Sequence, residues 1–351
     1  MAVTGTTLVK TLKDVDYEGI IHEDVMDELF NIDPIDLPYQ DMAGKGEAAK
    51  DFYKSWVKEH LKAPDLNNAH IDGDVAPDAG TFNEERIGNH IQLSIERVKV
   101  STGARLVDTI GYSDRLAHEI TTRQKELKRS MEAILVSNQG SVAMTDAVAG
   151  KTAGCGAMFE TNIINGTAGG FANGIYTAPT PGAAAALTED AVRDAAEMAY
   201  TKGGNIRILM SVPKVIRKFS EYALSAAARM ATLMTDASPQ QARVDGKYGK
   251  KGVTAVGAVN TFISDFDTLE FTPNRMQQLY DNGGTDCANV YLFDPEYWDV
   301  SYLRGITTEE LAKEGTSDSR MMNVYYLNMA LQEKSSAVIM GVDPTQTVTA
   351  S

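Results

Sequence analysis

The stretch YSDRLAHEITTRQKELKRSMEAILVSN, Tyr112 to Asn138, sets the framework for the whole chain. Leu116, Ile120, Leu127, Met131, Ile134 and Leu135 recur at helical spacing, and most positions between them are charged or polar. A narrow apolar stripe of this kind makes a helix that lays one side on a partner surface. Ser113 is the predicted N-cap, with Asp114 suited to the positive end of the helix dipole. Glu119 and Arg123 form a favourable i,i+4 pair. Asn138 or Gly140 is placed to end the helix in a left-handed cap. At about 1.5 Å per residue, some 24 helical residues of this stretch give a rod of roughly 36 Å.

Upstream, residues 63–110 begin loop-rich, with Pro64, Gly73, Pro77 and Gly80. Ile91, Leu93 and Ile95 then alternate with Gln92, Ser94 and Glu96, while Val98 and Val100 alternate in the opposite phase. Alternation predicts strand, and the change of phase predicts a bulge or bend. The stretch is therefore expected to be an extended β arm with one polar face. Residues 1–62 read as an acidic arm, with Asp14, Asp16, Glu18, Glu23, Asp24, Asp27 and Glu28 early in it. Ile32 to Tyr39 is expected to be extended, because each residue before a proline is pushed out of the helical region. Glu47 to Leu61 reads as a short helix with Phe52, Trp56 and Val57 on one side.

Downstream, residues 140–186 are rich in Gly, Ala, Thr and Asn without strong periodicity. Thr188 then caps a helix running to Lys202, with Glu189 and Asp190 in its first turn and Gly203-Gly204 stopping it. Ile206, Ile208 and Met210 predict a short strand. Pro213 opens a second helix with Val215, Ile216, Phe219, Tyr222 and Ala223 inward. Residues 236–252, with their glycines and lysines, predict a mobile loop. Val259–Ile263 and Thr268–Phe271 read as a hairpin around Ser264-Asp265-Phe266-Asp267. Val290–Phe293, Val324–Leu331 and Ala337–Val342 read as further strands. No internal repeat is visible.

The chain has 351 residues, with 33 Lys+Arg against 48 Asp+Glu, hence a net charge of −15. That length suggests two or three folding units and a sizeable core without disulfides or metals. The apolar fraction of 43% excludes a wholly disordered chain. No window approaches the ~20 apolar residues that cross a bilayer; the longest small-apolar run is Ala183 to Leu187. Met1 to Lys13 lacks a signal-peptide stretch, so secretion is not expected, and the sequon Asn165-Gly166-Thr167 reads as chance. Cys155 and Cys287 fit two reduced, partly buried thiols. The acidic balance argues against wrapping nucleic acid, which needs clustered cations.

Fragments of catalytic and binding motifs are incomplete. Gly150-Lys151-Thr152 ends like a phosphate loop, but Thr145 stands where the first glycine belongs. Gly154-Cys155-Gly156 starts like a dinucleotide fingerprint and meets Phe159 at its third glycine position. His118-Glu119 begins a zinc-protease helix, but Thr122 replaces the second histidine. Asp72, Asp74 and Asp78 resemble a calcium loop that Ala76, Pro77 and Asn83 break, leaving an acidic surface turn. No Gly-x-Ser-x-Gly elbow is present. His22, His60, His70, His90 and His118 all precede the α/β segment that would form an enzyme core. No catalytic residue, cofactor or metal is expected.

The order of elements (arm, β excursion, long charged helix, inserted α/β unit, returning strands) resembles the HK97-like fold of tailed-phage major capsid proteins. Ser55-Trp56-Val57 with Leu61 to Asp74 looks like that family's junction of arm and extended loop. Asn89-His90-Ile91-Gln92 and Val100-Ser101-Thr102-Gly103 look like the loop itself. Glu126 to Glu132 through Ser137-Asn138-Gln139 looks like its spine helix. Ser264 to Asp267, followed by Pro273-Asn274-Arg275, resembles a hairpin in which relatives usually carry Gly where this chain has Asp267. Phe293-Asp294-Pro295 and Tyr302-Leu303-Arg304 also fit.

The resemblance implies an α+β HK97-like architecture: an N-terminal arm over 1–62, an extended β loop over 63–110, a peripheral domain over 111–180 containing the spine helix 112–138, an axial domain over 181–300, and return strands over 301–351. It implies a head protein that tiles an icosahedral shell of pentamers and hexamers around packaged double-stranded DNA, enclosed without sequence readout. It also implies virion localisation after assembly in the host cytoplasm, with portal, scaffolding and decoration proteins as further partners. Inter-subunit contacts are expected at Trp56, Ile91, Leu93, Ile95, Val98 and Val100, since a β arm cannot bury its second face alone. Some relatives cross-link subunits through a Lys–Asn isopeptide bond; Ala63 to Val98 contains no lysine, so the arm is expected to supply none. An encapsulin-like compartment, or a soluble enzyme built on residues 188–300, is the alternative reading.

Overall fold

The computed structural model describes residues 28–73, 75, 83–107, 111–219, 261–264 and 266–346. In chain order the main elements are α1 (Pro38–Met42), β1 (Gly44–Lys45), β2 (Tyr53–Glu59), β3 (Glu84–His90), β4 (Gln92–Ser101) and the long helix α2 (Arg115–Leu135). Then come β5 (Ile163–Ile164), α3 (Glu189–Thr201), β6 (Ile208–Ser211), β7 (Thr261–Ile263), β8 (Thr268–Pro273) and β9 (Tyr280–Asn282). The chain returns through β10 (Thr285–Phe293), β11 (Trp298–Glu310), β12 (Ser317–Ala330) and β13 (Ala337–Val342). Two sheets organise them: one in the order β1-β11-β12-β4, the other β7-β8-β6-β10-β13-β5 with β9 on the edge of β10. β2 and β3 pair only with each other.

The long helix forms where expected and ends differently. Asp114, not Ser113, is the N-cap: its Oδ1 accepts from the Leu116 N–H at 2.9 Å. The C-cap is Val136 at φ −90°, and neither Asn138 nor Gly140 is left-handed. Asn138 is engaged elsewhere, its Oδ1 accepting from Asn289 Nδ2 at 2.6 Å. Arg123 reaches Glu126 at 2.6 Å instead of forming an ion pair with Glu119. Leu127, Met131 and Leu135 are buried with Val98, Val100 and Val324 of the first sheet and Phe293 of the second, so α2 is built into a core shared by both sheets. Tyr39, Phe159, Tyr291, Phe293 and Trp298 pack there ring against ring, with neighbouring centroids such as Phe293–Trp298 at 5.1 Å.

Two local expectations are corrected. Tyr53–Glu59 is a strand, not part of a helix; it pairs with β3 in register from Tyr53–His90 to Glu59–Glu84. The four-residue spacing of Phe52 and Trp56 imitated a helix, while Tyr53, Trp56 and Val57 favour the pleated state once β3 is available. The phase change in β4 is not a bulge either. Its ladder with β12 runs unbroken from Gln92–Tyr326 to Ser101–Ser317. The apolar side switches because different layers cover the two ends. Val98 and Val100 lie in the core shared with α2, whereas Ile91 packs with Ala49, Leu327 and Met329 on the opposite face.

The second sheet follows the sequence closely. Thr188 Oγ1 accepts from the Ala191 N–H at 3.2 Å, and Val192, Ala195 and Ala199 face the second apolar cluster. Residues 213–219 are helical, with Val215 and Phe219 buried; Tyr222 and Ala223 lie outside the described residues. β7 and β8 form the expected hairpin, closed by Ser264 N–H to Asp267 O at 2.9 Å and Asp267 N–H to Ser264 Oγ at 3.1 Å. The proposed loop 236–252, the early arm acids Asp14 to Asp27, and Asp74 and Asp78 also lie outside the described residues. β12 and β13 belong to different sheets, so the short connection between them carries the chain from one sheet to the other.

Candidate functional site

The β2–β3 hairpin is fastened at its root. Trp56 Nε1 donates to Ala330 O at 3.0 Å. Lys58 is buried, with its Nζ 3.5 Å from Glu85 and 3.8 Å from Glu160. Burial raises the Glu160 carboxyl above the usual range, and the Lys58 ammonium opposes that rise. At the other end Asn89 is buried, donating to Thr152 Oγ1 at 2.9 Å and Asn328 O at 2.8 Å. A Cβ at Gly88 would lie 2.6 Å from the Tyr53 ring, so the two strands need glycine at that position.

Beyond that root the connection between β2 and β3 has little cover. Leu61, Leu66, Ile71 and Val75 are 92, 97, 81 and 87% exposed, and Val57 on β2 is 61% exposed. Side chains this exposed leave apolar area that a neighbouring surface can cover. Of the six residues expected at subunit contacts, the structure leaves Ile95 well exposed, at 52%, and Leu93 and Trp56 half-buried. Ile91, Val98 and Val100 are buried inside their own subunit. They face the layers that α2 and the segment around Ala49 provide. Alternation along 91–100 singled out β4, but the bare aliphatics of 61–75 have no periodicity and were missed.

A second joint ties the arm to the body. Glu132 is fully buried on α2 and accepts four N–H groups: Tyr39 N at 2.7 Å, Gln40 N and Gln40 Nε2 each at 3.1 Å, and Asn274 Nδ2 at 2.8 Å. Burial raises its carboxyl pKa, and the four donors pull against that rise. Tyr39 in turn donates its hydroxyl to Asn328 Oδ1 at 2.7 Å. One buried polar chain therefore links β3, β12, α1, α2 and the loop after β8.

Among the described residues, the motif fragments are engaged in packing and hydrogen bonds. Thr152 is buried and bonded to Asn89 and to the Asn328 N–H. Cys155 is buried, and that burial pushes its thiol pKa far up. His118 stacks on Tyr112 with centroids 4.5 Å apart. Asn165 spends its amide on Ala183 O and Met340 O. Among the described residues no three His, Cys, Asp or Glu side chains are grouped to hold a metal.

With the projecting hairpin, the long helix and the two sheets in place, comparison with known proteins decides the family. The SU10 major capsid protein family matches residues 2–343. The chain belongs to that family of phage major capsid proteins. A curated relative of this capsid protein, the major capsid protein of Escherichia phage Phieco32, is 33% identical over 118 residues. That match covers 34% of this chain and 32% of the relative, so about a third of the relative's length is spanned. The capsid of cyanophage A-1(L) superposes with a TM-score of 0.56 at 12% identity, covering 92% of this chain and 97% of that one. The SrpI encapsulin of Synechococcus elongatus PCC 7942 superposes with a TM-score of 0.51 at 12% identity, covering 94% and 95%. At such identities the superpositions show the fold, and it is HK97-like.

Proposed function

We propose that this chain is the structural subunit of a tailed-phage head, self-assembling into a closed icosahedral shell around double-stranded DNA, and that it has no catalytic role. The observation that supports this most is the hairpin: rigidly rooted through Lys58, Trp56 and Asn89, and bare at Leu61, Leu66, Ile71 and Val75. Laid across a neighbouring copy, it would bury those side chains, with Trp56, Leu93 and Ile95 at the margin of the contact. A contact that joins different patches on two copies is heterologous, and heterologous contacts close into rings. Pentamers and hexamers are such rings. The head is assembled in the host cytoplasm and ends in the virion, with portal, scaffolding and decoration proteins as its other partners.

In this reading residues 1–62 are the arm, 63–110 the extended loop, 111–180 the peripheral domain, 181–300 the axial domain and 301–351 the return strands. With a net charge of −15, the shell holds DNA by enclosure. The encapsulin superposition supports one second reading, a compartment with protein cargo. Particles purified from infected or expressing cells and treated with nuclease separate the two. Protected duplex DNA is expected; particles filled with a single host-encoded enzyme would overturn the phage-head reading.

A further inference from the structure

Asparagine is followed by glycine at three places: Asn165-Gly166, Asn173-Gly174 and Asn282-Gly283. The pair is chemically labile, because glycine has no side chain to keep its backbone nitrogen away from the preceding side-chain amide. The fold treats the three differently. Asn165 is half-buried and donates its amide to Ala183 O at 2.8 Å and to Met340 O at 3.0 Å. Asn282 is half-buried and donates to Gly182 O at 2.7 Å. Asn173 is exposed, and its side chain makes no hydrogen bond to any of the described residues. It sits at the tip of a hairpin in which Phe171–Ala172 pairs with Ile175–Tyr176, and both Asn173 and Gly174 have positive φ, 53° and 81°. Two such residues in succession make a type I′ turn. Only two residue pairs hold it closed, so opening to the extended backbone that ring closure needs costs little.

The turn rests on the projecting hairpin. A Cβ at Gly174 would lie 3.4 Å from the Tyr53 hydroxyl. The His90 ring hydrogen-bonds to the Gly174 backbone, and the Tyr53 and His90 rings lie 4.8 Å apart. Tyr53–His90 is the pair of the β2–β3 ladder farthest from the bare connection. We propose that Asn173-Gly174 is a site of spontaneous deamidation, and that its conversion loosens the footing of the β2–β3 hairpin as the protein ages. The Gly174 backbone nitrogen bonds to Asn173 Cγ while the Cγ–Nδ2 bond breaks. Nδ2 leaves as ammonia, taking the proton of the glycine N–H. Water then opens the cyclic imide at either carbonyl, giving aspartate or isoaspartate, and neither step needs an oxidant. Isoaspartate routes the main chain through the former side chain and so lengthens a turn whose geometry is set for two residues. Both products add a negative charge to the turn that contacts Tyr53 and His90.

The test uses the full chain as purified, aged in warm, mildly alkaline buffer, which supplies the deprotonated backbone nitrogen. Peptide mapping with fragment spectra assigns each mass gain of about 1 Da to one asparagine and separates isoaspartate from aspartate. Asn173 should convert first. Asn165 and Asn282 should convert at least about tenfold more slowly, because their amides must first give up hydrogen bonds. In denaturant all three should convert at similar rates. Conversion of Asn165 or Asn282 as fast as Asn173 in the folded chain would overturn the proposal, as would an intact Asn173 or the same ranking in denaturant. The footing is read by hydrogen exchange. Asn173→Gly accepts the positive φ and has no amide to lose. Amides of Glu84–His90 should exchange faster in aged wild type than in fresh wild type, and equally in fresh and aged Asn173→Gly. Unchanged exchange in wild type that has converted at Asn173 would refute the coupling to the hairpin, and so would an equal rise in aged Asn173→Gly. The wild-type comparison alone decides the matter should the variant fail to fold.

Discussion

The Lys58 ammonium lies 3.8 Å from the Glu160 carboxylate and joins the root of a projecting hairpin to the body of the subunit. Lys58 is almost wholly buried, Glu160 is about three-quarters buried, and Glu85 flanks the lysine from the opposite strand. A lysine is kept out of water here because two acids face it. Removing it leaves Glu160 without its nearest cation.

Lys58→Met should therefore destabilise the subunit by about 1–3 kcal/mol, the range for stranding a buried polar group. Urea unfolding measures it, and hydrogen exchange should show faster amide exchange in β2 and β3 than elsewhere. Unchanged exchange in the hairpin would mean that Lys58 does not fasten it.

Gly88→Ala places a methyl 2.6 Å from the Tyr53 ring and 2.7 Å from Lys54 O. Since one of these contacts is backbone, the strands must part. A loss of about 1–3 kcal/mol is expected, as for overpacking. Tyr53→Ala in the same chain removes only the ring contact and should restore part of that loss.

Glu132→Ala leaves three N–H donor groups of α1 and one of Asn274 without their acceptor. A cost of about 2–4 kcal/mol follows. The pH dependence has a definite sign. Burial raises the Glu132 pKa in the fold, so folding favours the protonated form. Its contribution is fully present below the unfolded value, about 4.3, and is lost as pH rises through the folded value. The stability of wild type relative to Glu132→Gln should fall between about pH 4.3 and neutrality. A wild-type advantage that grows across that range would show the carboxylate, not the acid, to be the favoured form.

Leu66→Ser removes a side chain that is 97% exposed in the isolated subunit. Unfolding free energy should move by no more than about 0.5 kcal/mol. Particle yield should drop, because the lost burial belongs to the neighbour. Equal yields of wild type and variant would place Leu66 outside any contact.

Periodicity made the architecture legible in places where one layer covers one face. Leu116 to Leu135, Val192 to Ala199 and the alternating Ile208–Met210 were readable for that reason. Ile91 to Val100 was half readable: its alternation gave a strand, but the side switch came from two different covering layers, which no local pattern encodes. β2 was misread because Phe52 and Trp56 are spaced as on a helix, and only pairing with Glu84–His90 settles the state. The 13-residue strand β11 escaped because Arg304, Thr307 and Glu309 interrupt its apolar face, and its register with β12 shifts twice. The proposed contact surface was least legible. Leu61, Leu66, Ile71 and Val75 are scattered in a loop, and only their exposure marks them.

If burial in this protein is completed between copies, the purified chain should not persist as a lone subunit. Analytical sedimentation across a wide concentration range, with negative-stain imaging of the fast fraction, puts this to the proof. Closed shells or ring-shaped precursors of five or six subunits are predicted. A single slow species at every concentration, unfolding cooperatively with Leu61, Leu66, Ile71 and Val75 still in water, would contradict it.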